Sequence, residues 1–499
     1  MRRSLLAAAA IVLSLPAAAQ HLRIGLAEDP DILDPTLSRT FVGRIVYAGL
    51  CDKLFDIDAR LNIVPQLATG YTWDSPTVLT LKLREGVTFH DGEKMDAEAV
   101  RYSLNRHLTM QGSFRRSEIN AISQIEVVDP LTVRVTLKSP FVPFVSQLAD
   151  RAGMIVSPKA AEAAGNQFGN KPVCAGPMRF VERVAQDRIV LEKFDGYWNA
   201  ANIHVQRVTY RPIPDGTVRL ANLRAGALDL IERAEATDVE DIRKDPALRL
   251  STSEWLGYQS IQFNINNGPR ADTPLGRDAR VRAAFDAAID REALIQVVYN
   301  GLWTANAQYV SPASPFYAQA IKPPTRDLAL AQRLLREAGV TAPVVVNLTV
   351  PNSPDARQAG EVIQAMTREA GFDVRIQAME FASSLQAAQR GDFEAYFIGW
   401  SGRVDPDGNI YTFVHSSGAQ NDGKYSSPEV DRLLEATRTE ADMEKRKELY
   451  AQLTRILVQQ DRPRLYLWSR KNLVAHTAKL SGFTDIPDGL IRLQGIRLN

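Results

Sequence analysis

The chain is predicted to be an α/β protein. Strand and helix signals alternate along most of its 499 residues. One segment reads as consecutive strand–helix units, and another alternates apolar and polar side chains without a fault. There is no low-complexity tract and no short repeat.

In chain order, Leu79, Leu81 and Leu83 alternate with polar neighbours and predict a strand; a helix follows, opened by Asp96. Leu131 to Lys138 (LTVRVTLK) is a second, half-buried strand. Val281, Ala284, Phe285, Ala288 and Ile289 fall at helical spacing, and Asp290 is placed to cap a second helix running toward Gly301. Leu330, Leu334 and Leu335 mark a helix stopped by Gly339. Val344 to Trp400 is the clearest unit. VVVNLTV is a strand, 355–369 a helix ended by Gly371, FDVRIQAM a strand, 382–390 a helix and 393–400 a third strand. Parallel strands joined by helices make an open sheet, and ligands of such sheets sit outside the carboxyl ends of the strands. That rule puts the loop after Trp400 at a ligand. Ser427-Pro428 supplies a cap and a first-turn proline. Two amphipathic helices then reach Gln460, and Leu465 to Trp468 returns as a strand. The last thirty or so residues are too few for a domain and are expected to rejoin the first part of the molecule.

Residues 1–19 read as a cleavable secretory signal peptide. Arg2 and Arg3 precede a short apolar run from Leu5 to Leu15, and Ala17-Ala18-Ala19 fits the small-residue rule, with cleavage expected after Ala19. The apolar run is shorter than the roughly 20 residues a bilayer span needs. No cysteine lies near the cleavage site to carry a lipid, so a soluble periplasmic protein, monomeric, is expected. Of 59 basic side chains, the loss of Arg2 and Arg3 leaves 57 against 58 acidic ones. A near-neutral chain without a basic run has no electrostatic case for nucleic acid. Cys51 and Cys174 are expected to be joined in an oxidising compartment, two separate buried thiols being the alternative.

Pro65 to Leu104 reads PQLATGYTWDSPTVLTLKLREGVTFHDGEKMDAEAVRYSL. This closely resembles the N-terminal hallmark of the family 5 extracytoplasmic solute-binding proteins, which serve ABC importers of peptides and related solutes. AGPMRFVERVAQDRIVLEKFDGYW (175–198), QFNIN (262–266), Arg280 to Asn300 and GWSGRVDPDGN (399–409) are similar, in the same order, to further segments of that family. The resemblance implies two α/β lobes in a Venus-flytrap arrangement, with an extra subdomain in the first lobe. The boundaries it suggests are lobe I at 20–262 with the insertion at about 45–175, lobe II at 263–468, and a return to lobe I at 469–499. It also implies a small-molecule or short-peptide ligand held between closing lobes, an ABC permease in the inner membrane as partner, no cofactor, and no chemistry on the solute.

In peptide-binding members of the family the fourth residue after the Gly of G-W-x-x-D is an acid that pairs with the peptide's α-ammonium. Here that position is Arg403, a permanent cation suited to carboxylate or phosphate. Three readings are open. Asp405 or Asp407 takes over the amine; the ligand presents an anion, such as a peptide carboxylate, a γ-glutamyl group or an opine; or Arg403 turns away to a neighbouring acid. By the same resemblance Trp400 stacks on the ligand, Ser38, Arg39 and Thr40 line the cleft from the first lobe, and Tyr258 is a further candidate. Their alternatives are a core tryptophan, a solvated loop charge at Arg39 and a hydrogen-bonded core tyrosine.

Asp405, Asp407 and Asn409 have the spacing of a calcium loop, but its glycine stands at the fourth position, Gly408, and Ser416 occupies the twelfth, where a bidentate Glu is needed. The histidines are scattered; His415 could join a metal-chelate or haem site, a surface or core role being the alternative. No metal is expected. No nucleophile motif, phosphate loop or dinucleotide fingerprint occurs. A solute-binding subunit for short peptides or amino-acid conjugates is therefore expected. A binder of glutathione, an opine or a metal chelate, a sensing or chaperone role, and a periplasmic hydrolase are the alternatives.

Overall fold

His21–Leu26 lies parallel to Arg207–Pro212 on one side and to Leu230–Ile231 on the other. These three strands centre a seven-stranded sheet in a computed structural model that describes residues 20–499. The signal peptide expected at 1–19 lies outside the described residues. Leu248–Glu254 and Lys471–Thr477 extend this first sheet at one edge, and Arg188–Lys193 and Met178–Val184 extend it at the other. Its core is built on Leu22, Ile24, Ile45, Val46 and Val208, and it is closed by Leu490, Ile491 and Leu493 from the end of the chain.

A second, six-stranded sheet holds Val344–Pro351 parallel to both Phe372–Met379 and Ala395–Trp400, the unit read from sequence. Helix Pro354–Arg368 buries Ala356, Ala359 and Ile363, one stripe at helical spacing, against this sheet. It stops before Gly371, whose φ of +103° is costly for any other residue. Tyr258–Phe263 runs antiparallel between Ala395–Trp400 and Arg464–Ser469. Asp96, Asp290 and Ser427 cap their helices by accepting from the amides of Ala99, Ala293 and Val430.

The chain passes between the two large sheets twice, from Glu254 to Tyr258 and from Ser469 to Lys471. Gln262, where the sequence suggests the first passage, is inside a strand paired on both sides within the second sheet. Backbone pairing moves that passage toward Trp255. The two passages touch: the amide of Trp255 donates to the carbonyl of Arg470 at 3.2 Å.

Four antiparallel strands between Ala68 and Leu137 form a separate small sheet. Leu79, Leu81, Val133 and Val135 face a core of their own, with Phe89 and Leu104 behind them. Helix Phe41–Leu50, by contrast, packs Ile45 and Val46 into the first lobe, so the insertion begins after it and not near residue 45. Cys51 and Cys174 form a disulfide with Cα atoms 4.9 Å apart. They bracket the inserted sheet at its base.

Candidate functional site

A cavity of about 250 Å³ opens between the lobes, beside the two passages. Its wall follows the carboxyl ends of the strands: Ala27 to Asp29 after His21–Leu26, Arg233 to Glu235 after Leu230–Ile231, and Asn352 to Asp355 after Val344–Pro351. Trp400 and Ser401 complete it at the end of Ala395–Trp400. This is where the rule for open parallel sheets puts a ligand.

The residues expected at the site divide. Trp400 and Arg39 line the cavity. The Trp400 indole donates to Asn409 Oδ1 at 3.1 Å, and its ring meets Phe413 edge-on at 4.7 Å. The Arg39 guanidinium crosses to the second lobe, where it meets Asp422 at 2.5 Å, Gln420 at 3.3 Å and the Leu385 carbonyl at 3.4 Å.

Arg403 does not reach the cavity. Its guanidinium lies 4.4 Å over the Trp400 ring and pairs with Asp150 of the inserted subdomain. Asp150 also holds Arg44 at 3.0 Å. Burial opposes a charge on Asp150, but Arg403 and Arg44 keep its carboxyl far below the usual range. Of the three readings of Arg403, the geometry matches the neighbouring acid.

Asp405 and Asp407 are occupied as well. Asp405 takes both arms of Arg446 at 2.7 and 2.8 Å. Asp407 takes Arg438 at 2.6 and 3.0 Å and Gln147 of the inserted subdomain at 2.9 Å. Neither acid is free for an amine, and with Asn409 bonded to Trp400 the calcium-like spacing is used up by protein partners.

Ser38, Thr40 and Tyr258 do not line the cavity and are held by partners within the protein. The Ser38 carbonyl accepts from Arg151 at 2.9 Å. Thr40 caps its helix and donates to Asp31 at 2.8 Å. The buried Tyr258 hydroxyl donates to the Asn409 carbonyl at 3.1 Å. His415 stacks on Tyr411, with ring centres 4.4 Å apart, and its Nε2 is 3.3 Å from Glu435. Among the described residues no group of three His, Cys, Asp or Glu is arranged to hold a metal.

Several cavity residues carry no motif. Glu235 of the first lobe faces Asp355 of the second, and burial together with Asp355 pushes its carboxyl up to about 7. Glu28 and Glu232 pair with Arg233. Trp255 and Arg470, from the two passages, also stand on the wall. The strand-end rule would have pointed to Arg470, two residues after the strand read at 465–468. Glu235 follows a strand of only two residues, Leu230–Ile231, too short to leave a periodic signal.

Residues 62–421 match the model of the bacterial extracellular solute-binding proteins, family 5, middle region. The glutathione-binding protein GsiB of Pectobacterium atrosepticum is 30% identical, over 99% of this chain and 98% of that protein. Its counterpart in Salmonella typhimurium is 30% identical over 96% and 95%. The PBP AgaA of A. tumefaciens R10, solved with agropinic acid, superposes with a TM-score of 0.88 at 25% identity, covering 96% of this chain and 99% of that one. DppA of Helicobacter pylori, an ABC transporter-associated periplasmic binding protein solved with the peptide STSA, gives 0.87 at 26% identity, covering 96% and 98%.

Proposed function

The chain belongs to the family 5 bacterial extracellular solute-binding proteins, and from that premise we propose that its solute is a short peptide or amino-acid conjugate, with glutathione the first candidate. It is a solute-binding subunit that delivers its ligand to the permease of an ABC importer, and not an enzyme. The finer localisation is the periplasm, reached by cleavage after Ala19; the N-terminal sequence of the exported protein tests it.

One observation carries the solute class. The cavity between the lobes presents both signs of charge: Arg470 and Arg233 among its cations, Glu235 and Asp355 among its acids. A zwitterion with an additional carboxylate matches such walls, whereas a purely apolar solute would desolvate them and leave Arg470 without a counter-charge. At about 250 Å³ the cavity suits a solute of two or three amino-acid units better than a long peptide. The relatives named glutathione-binding, at 30% identity over nearly the whole chain, point the same way. The opine bound in the AgaA structure keeps an amino-acid-derived acid as the second reading.

Selection works through closure. A solute touching Arg233 and Glu235 on one lobe and Asp355 and Trp400 on the other stabilises the closed state by its differential contacts. Trp400, and Arg39 through its bridge to Asp422, serve this as wall and latch. The test is thermal melting of ligand-stripped protein against glutathione, di- and tripeptides and agropinic acid. A ligand at 100 times its Kd raises stability by about 2.7 kcal/mol. A shift with glutathione or short peptides is expected; a shift with agropinic acid alone selects the opine reading, and silence across the panel rejects both.

A further inference from the structure

Six cationic side chains line the cavity, and five of them have partners. Arg39 is paired with Asp422, Arg233 with Glu28 and Glu232, and Lys471 with Glu254. Arg219 donates to the carbonyls of Ile213 and Arg233, and Arg464 to Ser260 and Gln262. Arg470 is the exception. Among the described residues its guanidinium has no carboxylate at ion-pair distance and no side-chain hydrogen bond; its central carbon lies over the Trp255 ring, 3.7 Å from the centroid. Trp255 is 3% exposed and its indole Nε1 is a buried donor without an acceptor. A buried indole donor without an acceptor, which ordinarily costs stability until a partner arrives, thus stands beside a half-buried guanidinium without a protein partner on the wall of one cavity.

Resting on the proposed solute class, we infer that Arg470 and Trp255 form the anion subsite of the cleft and receive a carboxylate of the solute. Arg470 supplies the planar, two-pronged donor that a carboxylate matches, and the indole N–H is a further donor beside it. The ring beneath the guanidinium fixes its plane before the solute enters. Burial and the nearby Arg233 weaken the hold of Arg470 on its proton, against Glu232, Glu28 and Asp355, which strengthen it; the value of about 10 still leaves it charged at neutral pH.

The position has a mechanical consequence. Trp255 belongs to the first passage between the lobes and Arg470 to the second, and their backbones are already bonded at 3.2 Å. A carboxylate held by both side chains bridges the two passages, so anion binding acts on the segments about which the lobes move.

The test is calorimetry on ligand-stripped wild type and Arg470→Gln with glutathione, and with a tripeptide as free acid and as C-terminal amide. For glutathione and the free acid the variant is expected to bind at least thirtyfold more weakly. For the amide the two proteins should agree within threefold. Equal losses for acid and amide, or no loss, would overturn the subsite while leaving the peptide reading intact. If wild type binds none of these solutes, the solute class falls, and the subsite is read independently. The Trp255 indole N–H resonance, assigned with Trp255→Phe, is followed while glutarate is added. A saturable shift absent from Arg470→Gln upholds the subsite, and an unmoved signal rejects it.

Discussion

Arg39 in the first lobe and Asp422 in the second stand 2.5 Å apart, with only 6% and 4% of their side chains exposed. The guanidinium is anchored behind by the Phe114 ring at 5.0 Å and ahead by Gln420 and the Leu385 carbonyl. A charge pair dry on both sides is present only while the lobes are together. Parting of the lobes would separate the pair and expose both charges to water.

Asp422→Asn therefore acts on closure without changing the cavity wall. Losing one partner of a buried pair costs about 3–5 kcal/mol where the other charge stays buried. Opening lets Arg39 reach water, so the cost falls on the closed state alone. Affinity for any solute should drop at least tenfold while the melting temperature of the unliganded protein changes little. Small-angle scattering of the ligand-free variant should show a larger radius of gyration than wild type; identical curves would count against the latch.

Arg403→Ala separates the same effect from ligand contact. Arg403 joins the second lobe to Asp150, which keeps Arg44 at 3.0 Å when Arg403 is removed. All solutes should weaken by a similar factor, about tenfold, irrespective of their charge. A selective loss for anionic solutes would instead mean that Arg403 reaches them.

The two-lobed α/β architecture was legible because its carriers are local. Alternating apolar residues in 344–350 and 372–379, the caps Asp96, Asp290 and Ser427, and the stops Gly339 and Gly371 each act within a few residues. Of the residues expected at the site, Trp400 and Arg39 are the ones that line the cavity. Which carboxylate meets Arg403 depends on Asp150, some 250 residues away and in the insertion, and no periodicity encodes that contact. The same holds for Arg446 on Asp405 and Arg438 on Asp407: family position located the loop, but long-range ion pairs decided which of its charges stay available. Arg470 and Trp255 meet only because two passages cross.

The Cys51–Cys174 bridge clamps the inserted subdomain at its base, across a sequence separation of 123. Constraining a loop of that length stabilises by about 4–5 kcal/mol in the chain-entropy description. A Cys51→Ser, Cys174→Ser protein should melt several degrees lower, with the loss concentrated in the insertion. Hydrogen exchange of the 78–83 and 132–137 strands would show it; unchanged protection there would rule it out. Intact mass before and after reduction should differ by two hydrogens.

His107 gives the insertion an acid sensitivity. The ring is buried, its Nδ1 2.9 Å from the Thr36 hydroxyl and its Nε2 3.3 Å from the Met154 carbonyl. Burial lowers its pKa from 6.5 to about 3. The unfolded chain takes up a proton that the folded one refuses, so stability present above pH 6.5 is lost as pH falls toward 3. His107→Gln should be less stable at pH 7.5 but should lose less of its melting temperature between pH 7.5 and 5 than wild type. Parallel pH profiles would show that this histidine does not titrate as its burial dictates.

Glu235 and Asp355 give closure a pH dependence of the opposite sense. They approach from opposite lobes, with Asp238, Arg219 and Arg233 as the other charges around Glu235. Burial and Asp355 raise the Glu235 carboxyl from 4.5 to about 7. Opening removes both causes and returns it toward its ordinary value. The closed form then binds the extra proton, so the stabilisation is complete at pH 4.5 and is lost as pH rises through 7. The unliganded protein should be more closed at pH 5.5 than at pH 8.5, read as the distance between one fluorophore on each lobe. Asp355→Asn takes away the partner charge and should flatten most of that dependence. A variant that retains the wild-type pH profile would place the titrating group elsewhere in the cleft.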